Sequence, residues 1–327
     1  MAIVLVTGGA GYIGSHACKR LAMAGHEPVV FDNFSTGWRD AARFGEAIEG
    51  DLRDREAITA ALVRLRPDAV MHFAAKSLVG ESMSKPGEYW RTNVCGSLNL
   101  LDAMRAADVG QLVFSSTAAT YGEPEIGLIP EDAPTRPTNP YGATKLAVEA
   151  MIADFAGAHG LRAVIFRYFN VAGADPDGLI GEDHRPETHL IPLVIDAAAG
   201  RRPAITVFGD DYPTPDGTCV RDYVHVWDLV EAHLLGLERL LAGAEGGVFN
   251  LGIGRGYSVR DVITAAAEAT GLDIPVVSGA RRSGDPARLV CDGARAAAEL
   301  GWRPARSDLA TMLTDAWRWS QRGGYQR

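Results

Sequence analysis

Tyr141 and Lys145 stand four residues apart and are the pair in this chain best suited to move a proton. On a helix that spacing puts both side chains on one face, one turn apart. A phenol has a free pKa of about 10, and a nearby cation favours its ionised form. If the shared face looks into a cleft, the pair supplies a base near neutral pH. Any helix can hold these two residue types at this spacing, so the pair alone does not define a site.

A second constellation changes those odds. Gly8, Gly11 and Gly14 fall between an apolar run at 3–7 and a helical pattern that ends near 25. Glycine at these places allows a tight turn, close approach of a pyrophosphate and helix–strand contact. The helix N-terminus adds free amides and a positive dipole end. A run at 28–32 closes on Asp32. An acid there accepts hydrogen bonds from ribose hydroxyls and repels a 2′-phosphate, which favours NAD over NADP. Arg39, further on, does not outweigh it.

The elements that must carry these residues follow from periodicity. Strands are predicted at 3–7, 28–32, 69–73, 112–116 and 163–169, and helices at 54–65, 88–107 and from Tyr141 onward. The alternation implies crossover connections, a doubly wound parallel sheet and helices on both faces. After Asn170 a loop rich in Gly, Pro and acids spans 173–189. Shorter elements then read as a helix near 191–199 and strands at 205–208, 223–226 and 248–251. Helices are expected near 228–241, 258–271, 293–301 and 308–320. The expected division is a dinucleotide domain over 1–173 and a smaller mixed α/β domain over 174–327, with 222–252 packing back on the first.

Bulk composition narrows the function classes. The 327 residues are 47% hydrophobic and 22% charged, as in an ordinary globular protein. A net charge of −9 argues against a nucleic-acid or anionic-membrane surface. No apolar run reaches membrane-spanning length, and the chain opens straight into a strand pattern without a leader. Cys18, Cys95, Cys219 and Cys291 are scattered, which suits free thiols in the cytoplasm. His184 and His189, with Glu182, Asp183 and Glu187, lack standard ligand spacing and read as a polar loop, so no metal is expected. His72, on a buried strand, reads as a core histidine.

The glycine spacing together with Tyr141-x-x-x-Lys145 resembles the extended short-chain dehydrogenase/reductase family. Longer stretches are similar to the UDP-glucose 4-epimerase family. They are Val6 to His16, Val79-Gly-Glu-Ser82, Arg167-Tyr-Phe-Asn170, Gly181-Glu-Asp183, Phe208 to Thr218 and Val220-Arg-Asp-Tyr-Val-His-Val226. The resemblance runs from about 3 to about 320. It implies a Rossmann-type sheet, a resident NAD, a UDP-sugar substrate and a homodimer.

Carried over by position, it implies cofactor contacts from Gly8, Gly11, Tyr12, Ile13 and Gly14, and from Asp32, Asn33, Phe34, Ser35 and Thr36. Asp51, Leu52, Phe73, Ala74, Ala75, Lys76, Thr92, Asn93, Tyr141, Lys145 and Phe169 follow. The family's usual lysine near the pyrophosphate aligns with Ser77, and Lys76 stands one place earlier. The substrate set is Thr117, Tyr141, Asn170, His189, Leu190, Thr206, Val207, Phe208, Arg221, Arg282, Asp285 and Leu289. His189 stands where the family often has asparagine. Either Arg281 or Arg282 is expected to face the diphosphate.

The implied reaction oxidises C4 of the sugar to a ketone and reduces it again on the other face. Tyr141 is the expected base, Lys145 lowers its pKa, and Thr117 binds O4 or the phenol, where the family often has serine. Related 4,6-dehydratases and UDP-xylose-forming decarboxylases carry carboxylates just after this position. Here Ala118 and Ala119 stand there, so chemistry should stop at C4. Leu289 occupies a place where tyrosine narrows the sugar pocket. UDP-glucose/UDP-galactose interconversion is the first expectation. A UDP-pentose epimerase, an epimerase also taking UDP-N-acetylhexosamines, and a non-catalytic binding protein are the alternatives.

Overall fold

The computed structural model describes residues 1–282 and 285–325. Its first half alternates strand and helix: β1 (Ile3–Thr7), α1 (Tyr12–Met23), β2 (Glu27–Asp32), β3 (Glu46–Glu49), α2 (Arg55–Leu65) and β4 (Ala69–His72). Then come α3 (Val79–Ser84), α4 (Pro86–Tyr89), α5 (Gly96–Ala106), β5 (Gln111–Thr117), α6 (Pro140–His159) and β6 (Arg162–Tyr168). The second half has β7 (Asn170–Ala172), α7 (Leu190–Ala198), β8 (Ile205–Phe208), β9 (Val220–His225), α8 (Val226–Leu241) and β10 (Gly247–Leu251). It ends with β11 (Gly256–Ser258), α9 (Val259–Thr270), β12 (Val276–Gly279), β13 (Arg288–Leu289), α10 (Ala294–Glu299) and α11 (Leu309–Gln321).

Seven strands form one sheet in the order β10-β6-β5-β4-β1-β2-β3, and every neighbouring pair is parallel. The doubly wound expectation is borne out. The order reverses at β1, between β2 and β4, so the crevice for a ligand opens at the carboxyl ends of these strands. The sheet is buried on both faces because its strands are apolar at consecutive positions. Leu5, Phe31, Val70 and Phe114 face Ile58, Leu100, Val148 and Ile152 of α2, α5 and α6. Val4, Val6, Met71 and Phe166 face Ala17, Leu21, Leu229 and Leu237 of α1 and α8.

A smaller sheet joins β11, β9 and β13, with β7 also on β9, while β8 pairs with β12. α7, α9 and α11 enclose a core of Val194, Ile195, Val262, Met312 and Leu313. After β9 the chain returns to the large sheet, where α8 covers one face and β10 extends the edge beside β6. Among the described residues no helix is long and apolar enough to cross a membrane.

One local expectation is corrected. The single helix expected over 88–107 is α4, then a π-helical stretch at Trp90–Cys95, then α5. The wider π turn aims Asn93 inward, where it bonds the backbone of Lys76, rather than letting it follow the apolar period. β3 carries only Glu-Ala-Ile-Glu at an exposed edge, too short and polar to announce itself.

Candidate active site

The turn after β1 is shaped by backbone that only glycine suits. Gly8 has φ +74°, and a Cβ there would lie 2.6 Å from the Ala74 amide nitrogen. Phe73 and Ala74, in turn, donate to the Thr7 carbonyl at 2.9 and 3.1 Å, which draws the end of β4 against the turn. Gly11 caps α1 with no side chain, leaving the helix amides open at that end, beside Tyr12, Ile13 and Gly14. Asp32 is buried and accepts from the Ala10 amide at 3.0 Å and the Phe34 amide at 2.8 Å. Burial raises its pKa.

Asn33 donates to Asp51 at 2.9 Å and accepts from the Ser35 amide at 3.0 Å, so the ends of β2 and β3 form one polar rim. Arg53 holds the Asp51 carboxyl well below the usual range. Leu52 is buried under this rim. Thr36 lines a cavity with Gly11, Tyr12, His184 and Tyr325. Arg39 stacks on Phe34 at 4.3 Å and pairs with Glu49 at 2.6 Å, so its guanidinium already has a counter-ion.

Lys76 is brought to the rim by its backbone more than its side chain. Its amide donates to Asn93 at 2.8 Å, whereas its ammonium pairs with Glu88 at 2.8 Å and Glu81 at 3.3 Å. Asn93 also donates to Thr144 at 3.0 Å, tying the π stretch and its Thr92 to α6. His72 is a satisfied core histidine, bonded to Thr7 at 2.7 Å and Ser97 at 2.8 Å.

α6 begins cleanly. Asn139 accepts from the Gly142 amide at 2.9 Å, and Pro140 starts the helix. A Cβ at Gly142 would lie 2.5 Å from the Ala119 carbonyl oxygen. This close approach seats the first turn of α6 against the turn Ala118–Thr120, directly after Thr117. Tyr141 and Thr117 are neighbours as a result, and the Thr117 hydroxyl works to lower the pKa of the phenol. One turn on, Lys145 is buried and donates to the Ser115 carbonyl at 2.7 Å, with its ammonium 4.9 Å from the centre of the Phe114 ring.

The electrostatics correct the expected influence of Lys145 on the phenol. Burial pushes Tyr141 up to about 12, against the opposing pull of the Thr117 hydroxyl. Burial pulls Lys145 down to about 7, opposed by Glu149. Desolvation dominates at both groups, so burial by itself favours the neutral form of each.

Glu149, a further turn along the same face, was missed. It forms a buried ion pair with Arg167 at 2.5 Å and bonds Ser116, the neighbour of Thr117. Arg167 also donates to the Tyr121 hydroxyl at 3.0 Å. The signal was present: 141, 145 and 149 continue one i, i+4 series.

On the other side of the crevice, Phe169 is buried with Ala118, Tyr121 and Cys291, and Leu289 packs on that cluster. Leu289 lies opposite Arg221 in the β13–β9 register. Arg221 hydrogen-bonds Asp285, joining two of the expected substrate residues. Arg282 stacks on Phe208 at 4.0 Å, whereas Arg281 stacks on Tyr212 and pairs with Asp211 at 2.6 Å. Along β8, Thr206 and Phe208 are partly exposed and Val207 is buried, so Val207 can offer a ligand only its backbone. Asn170 is exposed at the start of β7. His189 caps α7 just before Leu190, but its ring is bonded to Glu182 in a cluster with His184 and Glu187.

A left-handed glycine with no room for a side chain, an open helix end and a buried carboxylate together fit a dinucleotide. These parts define a dinucleotide-using α/β enzyme, and the chain belongs to the NAD dependent epimerase/dehydratase family, whose model matches residues 4–252. Its relatives over nearly the whole chain include UDP-glucose 4-epimerases, which are isomerases. The one from Corynebacterium glutamicum is 54% identical over 96% of this chain and 94% of its own. The one from Streptomyces lividans is 55% identical over 96% and 95%. Among solved structures, the UDP-glucose 4-epimerase of Brucella ovis in complex with NAD has a TM-score of 0.95 at 50% identity, covering 97% of this chain and 98% of that one. The Bifidobacterium longum enzyme in complex with NAD+ and UDP has a TM-score of 0.93 at 37% identity, covering 98% of each. The family resemblance carried by the motifs is borne out.

Proposed function

We propose that this chain interconverts UDP-glucose and UDP-galactose by reversible oxidation at C4 of the sugar, through a 4-keto sugar. The observation that carries this reading is Tyr141 beside Thr117, at the end of a strand whose next two residues are Ala118 and Ala119. That arrangement offers a proton acceptor for O4 and, at the next two positions, no carboxylate to take the C5 proton. NAD, when bound, supplies the reversible two-electron acceptor. Tyr141 takes the O4 proton and returns it, Thr117 holds the hydroxyl, and Lys145 holds the nicotinamide ribose from the same helix face.

The glycine turn, Asp32 to Thr36, Asp51, Leu52, Phe73 to Lys76, Thr92, Asn93 and Phe169 are assigned to NAD. Asn170, His189, Leu190, Thr206 to Phe208, Arg221, Arg282, Asp285 and Leu289 are assigned to the UDP-sugar. Residues 1–173 then serve the cofactor and, through Thr117, Tyr141 and Asn170, part of the substrate, and 174–327 serve the rest of the substrate. The Arg221–Asp285 and Arg282–Phe208 pairs support the second assignment. A homodimer through α5 and α6 is the proposed assembly, supported by Leu98, which is 41% exposed on α5. A monomer in analytical ultracentrifugation at micromolar concentration would contradict it. A cytoplasmic location is supported by four free cysteines and is tested by cell fractionation.

The deciding experiment gives purified protein UDP-galactose and no added cofactor. Formation of UDP-glucose without net NADH is the expected result. No hexose turnover, or stoichiometric release of NADH, rules the reading out.

A further inference from the structure

Four side chains in the loop between β7 and α7 converge although their sequence spacing fits no standard metal motif. One ligand atom from each of Glu182, His184, Glu187 and His189 lies within 4.8 Å of the others. His184 Nδ1 is 3.2 Å from Glu182 Oε1 and 3.6 Å from Glu187 Oε2. His189 Nδ1 is 4.0 Å from Glu187 Oε1 and bonded to Glu182. A tetrahedral zinc with bonds of about 2.0–2.2 Å sets its donor atoms about 3.4 Å apart. The two His184 separations already lie close to that edge.

A second observation points to a ligand. His184 Nδ1 is buried and has no hydrogen-bond partner, although two carboxylates flank it. A buried nitrogen left so is an exception that calls for a missing partner. Glu182, whose side chain is 6% exposed, also takes its carboxylate out of water.

We propose that Glu182, His184, Glu187 and His189 bind one divalent transition-metal ion of the zinc class. Two imidazoles and two carboxylates neutralise a doubly charged ion, and imidazole nitrogens favour zinc-like metals over magnesium or calcium. The loop is braced for the task. Trp319 donates to the Glu182 carbonyl at 3.0 Å, Trp38 to the Asp183 carbonyl at 2.8 Å, and the Tyr325 amide to the Asp183 carboxylate at 3.0 Å. The ion clamps a segment that reaches from the cavity beside Gly11 and Tyr12 to the first turn of α7. Its role is structural: it touches no reacting atom, and a His189 held through Nδ1 keeps Nε2 for the UDP-sugar.

The test uses tag-free, full-length protein stripped with a chelator and titrated with Co2+, then Zn2+. One equivalent of Co2+ per chain, with visible d–d absorption lost on adding Zn2+, is the expected result. Glu187→Gln and His184→Gln should each weaken Co2+ binding at least about 10-fold. Gln at 187 can still accept from the Thr188 and His189 amides, as Glu187 does at 2.7 and 2.9 Å, so circular dichroism should match the parent. Absence of stoichiometric Co2+ binding, or equal binding by the folded variants, overturns the proposal. Turnover of UDP-galactose is read separately, and its loss or survival bears on the epimerase reading alone.

Discussion

Lys145 donates to the main-chain carbonyl of Ser115 at 2.7 Å, two residues before Thr117 on the same strand. A main-chain acceptor thus sets the distance between the end of β5 and the catalytic face of α6. The same seat strips water from the ammonium and lowers its pKa to about 7. The lysine is held in place at the expense of its charge.

Replacing that lysine separates the two effects. Lys145→Met should lower kcat about 10²-fold or more, in the range of general acid–base contributions. The melting temperature should hold or rise, because an apolar chain replaces a desolvated ammonium beside Phe114. Steady-state turnover with UDP-galactose and thermal unfolding check both, and unchanged kcat would remove Lys145 from the mechanism.

The pH dependence of stability carries opposite signs for the two residues. Lys145 titrates near 7 when folded and near 10.5 when unfolded. Its contribution is fully present above the unfolded value and fades as pH falls through about 7. Tyr141 titrates near 12 folded and 10 unfolded, so its contribution is present below pH 10 and is lost as pH rises through 12. Between pH 7 and 9.5 only the lysine acts. Urea midpoints of the parent should climb with pH relative to Lys145→Met across that window, and parallel curves would contradict the shift.

Tyr141→Phe removes the proposed proton acceptor and should cut turnover by about 10²–10⁴ while UDP still binds by calorimetry. Thr117→Ser keeps a hydroxyl for the phenol and for the Ala119 amide, which it accepts at 3.1 Å, and should stay near parent activity. Thr117→Ala loses both, costing about 1 kcal/mol of stability through the lost cap. Retained turnover in Tyr141→Phe would reassign the base.

Glu149→Gln leaves the Arg167 guanidinium without its charge partner in a site where both side chains are under 10% exposed. Breaking a buried pair on one side costs about 3–5 kcal/mol. Urea unfolding should show that loss, and a change below about 1 kcal/mol would mean the pair is solvated.

Cofactor choice should follow Asp32 and not Arg39. Denatured protein should release NAD and no NADP, and Arg39→Ala should leave this unchanged, since Arg39 is already paired with Glu49. Enzymatic cycling of the extract decides it. NADP in the extract would show that the buried carboxylate does not discriminate.

The sequence was most legible where chemistry follows local period. The continuous apolar strands, the glycine turn and the Tyr141–Lys145 spacing each express a rule that acts within about ten residues. Glu149 belongs to the same series, but its partner Arg167 lies on another element, and spacing along the chain does not show that. The π turn at Trp90–Cys95 was hidden because a single wider turn does not alter an apolar pattern enough to be seen.

By itself, the sequence determined the parallel sheet, the dinucleotide turn and which side chains share the face of α6, since backbone periodicity acts between near neighbours. Only the tertiary structure decided that Lys145 leans on Ser115, that Arg221 meets Asp285 across 64 positions, and that Arg282 rather than Arg281 covers Phe208. It also gathered Glu182, His184, Glu187 and His189 about one point. It reversed the expected pKa of Tyr141 as well, because desolvation depends on what packs around a group and not on its spacing along the chain.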